Sequence, residues 1–175
     1  ATLAYASGTA DFAANRRVLT DGKWSGFGVQ SDGPVDHVVP VLRIAGLDGN
    51  VRGVVFNYAC HCTTLGGEHY QINGDWAGYA ATNLEAAYPD AVALSTIGCG
   101  ADANPEPRGS LDATKIHGRT LSNEVQRVLS QPMKAVDAPL HPRFDYAALT
   151  FELPTQEELQ SRTTSTNPQA RRHAE

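Results

Sequence analysis

No basic cluster interrupts this chain of 175 residues. Lys and Arg number 14 against 19 Asp and Glu, and the formal net charge is -5. The two adjacent pairs, Arg16-Arg17 and Arg171-Arg172, are too short to displace the counterions of a nucleic acid, so nucleic acid is not expected as a partner. No apolar run approaches the length of a transmembrane helix, and no signal peptide is legible. Three cysteines cannot build a disulfide framework, because one is always left over. Cys60 and Cys62 are poorly placed to bridge each other, Cys99 could approach either, and small free cysteines are the commoner outcome. Redox compartment is therefore undecided.

What is present suits one domain with a sizeable core over 1–175, of ordinary globular composition. Thr2 to Gly8 reads as a short strand, and the Gly-rich stretch from Asp21 to Gly33 as a long surface excursion. Val38 to Leu47 and Val51 to Ala59 are β-branched runs joined by Asp48-Gly49-Asn50, a hairpin signal. The nearly continuous apolar residues Val38 to Leu42 suggest burial on both faces, and Pro40 among them hints at a strand start or an edge. Asp75 to Tyr88 reads as a helix with Asp75 as N-cap and Pro89 as its stop. Ala91 to Ile97 reads as a strand. A second helix runs from about Leu111 to Leu129, capped by Ser110 or Asp112, with Ala113, Ile116, Leu121, Val125 and Val128 facing inward. Phe144 to Leu153 reads as a strand and Pro154 onward as the start of another helix. Residues 161–175 are polar and unpatterned, a tail that need not be ordered, and the chain reads as an incomplete piece of a larger architecture. The fold class expected is α/β, a mixed β-sheet core flanked by helices.

Two segments concentrate the chemistry. Val54 to Tyr58 runs as a core strand into Ala59-Cys60-His61-Cys62-Thr63-Thr64-Leu65-Gly66-Gly67. A second Gly-rich loop, Gly98-Cys99-Gly100-Ala101-Asp102-Ala103-Asn104-Pro105, follows the Ala91 to Ile97 run. Open α/β sheets place their sites at such strand ends, and two loops of this kind suggest one shared site. His61 could ligate a metal as a neutral imidazole facing a cleft, or be a core histidine bonded to a carbonyl. Adjacent residues on an extended strand diverge, so Cys60, His61 and Cys62 cannot all converge on one ion. His69, in the loop that leaves the site, could reach a substrate or be a plain surface residue. His117 sits on the inner stripe of its helix and reads as a satisfied buried histidine.

Four stretches in order, Asn15-Arg16-Arg17, Asn57 to Thr64, Asn73-Gly74-Asp75-Trp76-Ala77-Gly78-Tyr79-Ala80 and Gly100 to Pro105, resemble the neutral/alkaline non-lysosomal ceramidase family, most nearly its bacterial ceramidase-like branch. The likeness covers roughly Ala10 to Leu129. It implies a zinc amidase that hydrolyses the N-acyl bond of a sphingolipid-like substrate, in a secreted or periplasmic protein. His61 matches a zinc-ligating histidine, and Arg16 an arginine that contacts the substrate amide. Asp102-Ala103-Asn104-Pro105 aligns with the family's Asp-x-Ser-Pro, so Asn104 stands where the catalytic serine is expected. The family's other zinc ligands, a histidine upstream and a glutamate and a tyrosine downstream, match nothing in this chain, so zinc is expected to find only one of its ligands here. Such a piece alone would be inactive.

An amide cannot be deprotonated to attack a carbonyl as a hydroxyl can. The departure from serine, with His61 as a zinc ligand, therefore points instead to a zinc-activated water attacking the acyl carbon directly. Arg16 and the turn from Asp102 to Asn104 would stabilise the oxyanion, since that turn is read as leading to a helix N-terminus. Asn104 would bind a carbonyl or the water, and Asp102 would accept a proton. Asp75 would orient the imidazole of His61, besides capping its helix. Four alternatives stay open. Asp102 and Asn104 read equally as an Asx-turn pair stiffened by proline, and Arg16 as a surface ion pair. The whole could be a zinc hydrolase of another amide or ester, or a non-catalytic binding domain for glycan or lipid.

Overall fold

The computed structural model describes residues 1–137, 139 and 141–174. By its contacts the chain, expected as one domain over 1–175, forms two compact units, Ala1–Ala138 and Pro139–Glu175. In the first, strands β1 (Thr2–Thr9), β4 (Val38–Ala45), β5 (Val51–Tyr58), β6 (Val92–Ile97) and β8 (Lys134–Ala135) form a sheet in the order β6-β5-β4-β1-β8. Its β5–β6 pair is parallel and the rest antiparallel, so the sheet is mixed, as expected. A second sheet has the order β3-β2-β7, from β2 (Ala13–Thr20), β3 (Lys23–Gln30) and β7 (Ala103–Pro105).

The hairpin β4–β5 turns at Gly49, whose φ of 81° suits glycine. Val39, Val41, Val54, Phe56 and Tyr58 are buried on one face, while Val38 and Pro40 are exposed. The apolar run is thus half-covered rather than buried on both faces. Pro40 pairs with Ser7 of β1, one residue short of where the β4–β5 ladder begins at Val41, so no bond to β5 is lost to its missing N–H.

Helices α1 (Asp75–Ala87) and α2 (Leu111–Leu129) pack on each other, α1 against β6 and α2 against β1 and β4. Trp76, Ala80 and Leu84 recur every four residues and form the buried stripe of α1. In α2 the stripe is Ala113, His117, Leu121, Val125 and Val128, whereas Ile116, expected inside, is 57% exposed. Ser110 caps α2, its hydroxyl accepting from Ala113 N at 3.1 Å. The centre of the core is aromatic: Phe12, Tyr58 and Trp76 lie with ring centroids 4.7, 5.7 and 5.8 Å apart. His117 is buried and satisfied, its Nε2 2.7 Å from Pro107 O and its ring stacked on Phe12.

Three readings change. The stretch read as a surface excursion contains all of β3, which turns back on β2 through Asp21 and Gly22 at φ 52° and 73°, a tight two-residue hairpin. Residues 144–153, read as a strand, form none, and Phe144, Tyr146, Leu149, Phe151 and Leu153 are exposed. The second unit contains α3 (Gln156–Thr163), which opens on a capping box between Thr155 and Glu158, and α4 (Pro168–Arg172). The span 161–175 read as a polar tail therefore holds the end of α3 and all of α4.

Candidate metal centre and its surroundings

Because β5 and β6 are parallel neighbours, the loops that leave them emerge at the same edge of the sheet. They meet. Gly98 and Gly100 let the second loop lie directly on the end of β5: a Cβ on Gly100 would come 2.5 Å from the backbone of both Ala59 and Cys60. This close approach delivers two carbonyls to one imidazole. Nδ1 of His61 is 2.8 Å from Gly100 O and 3.0 Å from Ala103 O. The His61 backbone N–H donates to the same Ala103 O at 3.0 Å.

With only acceptors facing it, Nδ1 carries the proton, which leaves the lone pair on Nε2. Among the described residues Nε2 makes no hydrogen bond, and His61 is half-buried rather than sealed in apolar packing. This is the tautomer in which histidine ligates a metal through Nε2, oriented by its other nitrogen. The residue thus fits one ligand position for zinc. Among the described residues no group of three or more His, Cys, Asp or Glu side chains could hold a metal ion, so His61 offers that position alone.

Asn104 reaches the same place from β7, whose backbone pairs with Ala14 of β2. Thr63 Oγ1 donates to Asn104 Oδ1 at 3.3 Å. Its Nδ2 makes no hydrogen bond among the described residues, so two donors remain free beside the His61 loop. Asn104 also lines a cleft of about 160 Å³ together with Ala14, Phe27, Gly28, Val29, Glu106 and Arg108.

Arg16 lies over the Phe27 ring at 4.7 Å from its centroid, and its Nε donates to Ala101 O at 3.1 Å. Its backbone N–H donates to Asp102 O at 2.7 Å. The Asp102 carboxylate accepts from Asn15 Nδ2 at 3.2 Å through Oδ2, and Oδ1 has no partner among the described residues. So Arg16, Asp102, Asn104 and His61 are all tied to the turn from Gly100 to Asn104. Among the described residues Arg16 forms no ion pair.

Three expectations are corrected. Asp102 and Asn104 do not open a helix: they lie at and in β7, and α2 starts at Leu111 behind its own cap. An oxyanion there would be met by side chains, not by helix N–H groups. Asp75 is not the N-cap, a place taken by Gly74, and it does not touch the His61 imidazole. Its Oδ1 accepts from Thr64 Oγ1 at 2.6 Å and its Oδ2 from Leu65 N at 3.1 Å. His69, a candidate for substrate contact, is half-buried with its N–H on Gly66 O, and its Nε2 is buried without a partner. No hydrogen bond joins it to the other candidates among the described residues.

Two partners escaped notice in the sequence. Trp76 Nε1 donates to His61 O at 2.9 Å, and Thr63 holds Asn104. Both stand inside the quoted motifs, where packing and capping explained them without the site. The cysteines are free. Burial pushes the Cys60 thiol up to about 12, aided by the charges of Cys62 and Asp75. Cys62 is exposed at its surface, yet the protein around it and the charge of Asp75 push it up to about 11.

No protein-family model matches the chain, and no curated protein matches it in sequence. Solved structures do match in fold. A structure described as a ceramidase complexed with C2 has a TM-score of 0.65 at 20% identity, over 79% of this chain and 23% of its own. The neutral ceramidase of Pseudomonas aeruginosa has a TM-score of 0.66 at 21% identity, over 79% of this chain and 24% of its own. The chain spans about a quarter of the length of these proteins. Its α/β fold is thus that of one part of a neutral ceramidase.

Proposed function

We propose that this chain is part of a zinc-dependent hydrolase of the neutral ceramidase kind, cleaving an N-acyl amide of a sphingolipid-like or related substrate, with Asn104 in the serine's place. The observation that carries the reading is His61: two backbone carbonyls on its Nδ1 leave Nε2 without a hydrogen bond among the described residues, on the loop whose Thr63 holds Asn104. The fold shared with ceramidases supports it. Zinc, when bound, supplies Lewis-acid activation of water and carbonyl.

The chain's own side chains then divide the work. His61 Nε2 is one ligand, and the remaining ligands come from outside the described residues. Asn104 Nδ2 donates to the substrate carbonyl, a bond that shortens as negative charge develops on that oxygen. The free guanidinium nitrogens of Arg16 add donors to the same oxygen. Asp102 Oδ1 takes the proton released as water adds to the acyl carbon. The C–N bond then breaks, and that proton leaves with the amine. The Asn104 amide forms no acyl intermediate, so the addition is direct. Secretion or export to a periplasm belongs to this proposal, and cell fractionation tests it.

The complete protein should contain stoichiometric zinc and release fatty acid from ceramide or another member of a panel of N-acyl amides and esters. A chelator should abolish the release, and His61→Ala should lower it about 100-fold or more by removing a ligand. Hydrolysis indifferent to chelator and to His61→Ala would sink the reading. A second reading, a non-catalytic binding domain on the same scaffold, is favoured by the amide of Asn104 and by the Arg16 Nε already engaged on Ala101 O. It predicts no stoichiometric zinc.

A further inference from the structure

We propose that Asp75 and Trp76 position His61 through its backbone and the loop that follows it, not through its imidazole. The inference rests on the reading of His61 as a zinc ligand. The ring is aimed at one end by Gly100 O and Ala103 O, but a ring is only as fixed as the backbone that carries it. That backbone lies in a loop between β5 and α1, where no ladder holds it. Ala103 O accepts from the His61 N–H at 3.0 Å, and the first two residues of α1 hold the rest.

Trp76 is fully buried, edge-on to Tyr58 and Phe12, so its indole has one orientation. From there Nε1 donates to His61 O at 2.9 Å. Three and four residues further along, Thr64 Oγ1 and Leu65 N donate to the two oxygens of Asp75. The segment from His61 to Leu65 is thus pinned at both ends to adjacent residues of one helix. Thr63, which holds Asn104, lies within it. One clamp therefore sets the imidazole and the amide together.

Asp75 reaches this place in an unfavourable way. Its φ is 51°, a left-handed backbone that aspartate and asparagine tolerate better than other side chains. Its own N–H donates to Asn73 Oδ1 at 2.8 Å, and its Oδ1 also takes Trp76 N at 2.8 Å. A helix cap alone does not require this conformation, because glycine would fit it without cost. The carboxylate is what glycine lacks. This separates positioning from mere folding: Asp75→Gly removes the clamp while relieving the backbone.

The experiment uses the complete protein with Trp76→Phe, Asp75→Gly, Asp75→Asn and His61→Ala. The readouts are zinc affinity by chelator competition, and the His61 ring nitrogens of the zinc-free protein by NMR. Trp76→Phe and Asp75→Gly should weaken zinc about 10–100-fold, as loss of a ligand's supporting partners does. They should also turn a single Nδ1–H tautomer into a mixture. Asp75→Asn keeps one acceptor oxygen and the left-handed backbone, and should recover most of the affinity. Unchanged tautomer and affinity within twofold in both Trp76→Phe and Asp75→Gly would overturn the proposal. If instead His61→Ala keeps its zinc, the metal-ligand reading fails, and the tautomer measurement still decides whether the clamp sets the ring.

Discussion

Gly100 touches His61 and Ala59 at once: its carbonyl oxygen is 2.8 Å from His61 Nδ1, while its α-carbon has no room for a methyl group against the Ala59–Cys60 peptide. The absence of a side chain is what allows the carbonyl to arrive. Gly100→Ala puts a Cβ 2.5 Å from backbone atoms that cannot swing aside, so the loop must lift. Such overpacking costs about 1–3 kcal/mol. The expected result is a free energy of unfolding lowered by that amount, seen as a lower urea midpoint at unchanged slope, together with loss of the Nδ1–H tautomer of His61 in NMR. Stability lost with the tautomer intact would mean that Ala103 O alone orients the ring.

Tyr58 ties the core to the start of β2. Its hydroxyl donates to Ala10 O at 2.9 Å and accepts from Ala13 N at 3.1 Å, with no exposed surface. Tyr58→Phe keeps the ring but strands both backbone groups in the interior. The cost expected is about 2 kcal/mol, more than an average hydrogen bond, because the orphaned groups stay desolvated. Chemical denaturation measures it. Asn15 and Arg16 lie further along β2, so the hydrolysis proposed for the complete protein should fall as well, whereas Tyr5→Phe on the half-exposed β1 should change neither.

Alkaline pH should destabilise the first unit. Burial holds the protons of Cys60 and Cys62 more tightly in the folded chain than in the unfolded one, up to about 12 and about 11, and raises the Tyr58 hydroxyl in the same direction. An unfolded thiol loses its proton near about 8.5. Above that pH the unfolded state ionises first and is favoured, so the stabilisation is complete below about pH 8.5 and declines as pH rises toward the folded values. Urea midpoints at pH 7.5 and 10.5 should show the decline, and Cys60→Ala should make it shallower. An equal slope in that variant would assign the decline to other groups.

The parts of the fold that could be read beforehand are those whose pattern reflects a buried face. The turn at Asp48-Gly49 and the inner face of α2 apart from Ile116 each accompany a buried side, and each is where its pattern places it. Asp21-Gly22 is an equally good turn signal, but β3 has no buried residue and so lacks the alternation that marks a strand. The converse holds for Phe144 to Leu153. Its alternation is clear, yet a strand needs a neighbour to pair with, and period alone does not supply one.

For the site, the meeting of the two loops followed from parallel strand ends, and with it the nearness of His61 to the turn at 100–104. The individual bonds did not follow. Asp75 was expected on the imidazole because aspartates commonly orient histidines; the φ of 51° that turns it toward Thr64 and Leu65 has no sequence signature. Nor does a carbonyl. Two backbone oxygens orient His61, and every residue carries one, so the partner is decided by glycine-permitted backbone approach rather than by residue type.

Asn104→Ser asks whether the acyl-serine route is still latent in this scaffold. The ladder between β7 and β2 fixes the backbone at position 104, so a serine hydroxyl would stand close to where the amide now meets Thr63 Oγ1. There it would have Asp102 on the adjoining turn and Arg16 of β2 bonded to that turn, the residues with which the resemblance expects a serine. In the complete protein the substitution should raise ceramide hydrolysis about tenfold or more, with an acyl-enzyme that accumulates as a burst. Asn104→Ala, which has neither amide nor hydroxyl, should instead lower the native activity by about 10²–10³, the usual loss for one oxyanion donor. A rise with serine and a fall with alanine would show that the chain exchanged one route to the same product for another. A fall with both would mean that the amide supplies a contact a hydroxyl does not, and that no acyl-serine route is latent at position 104.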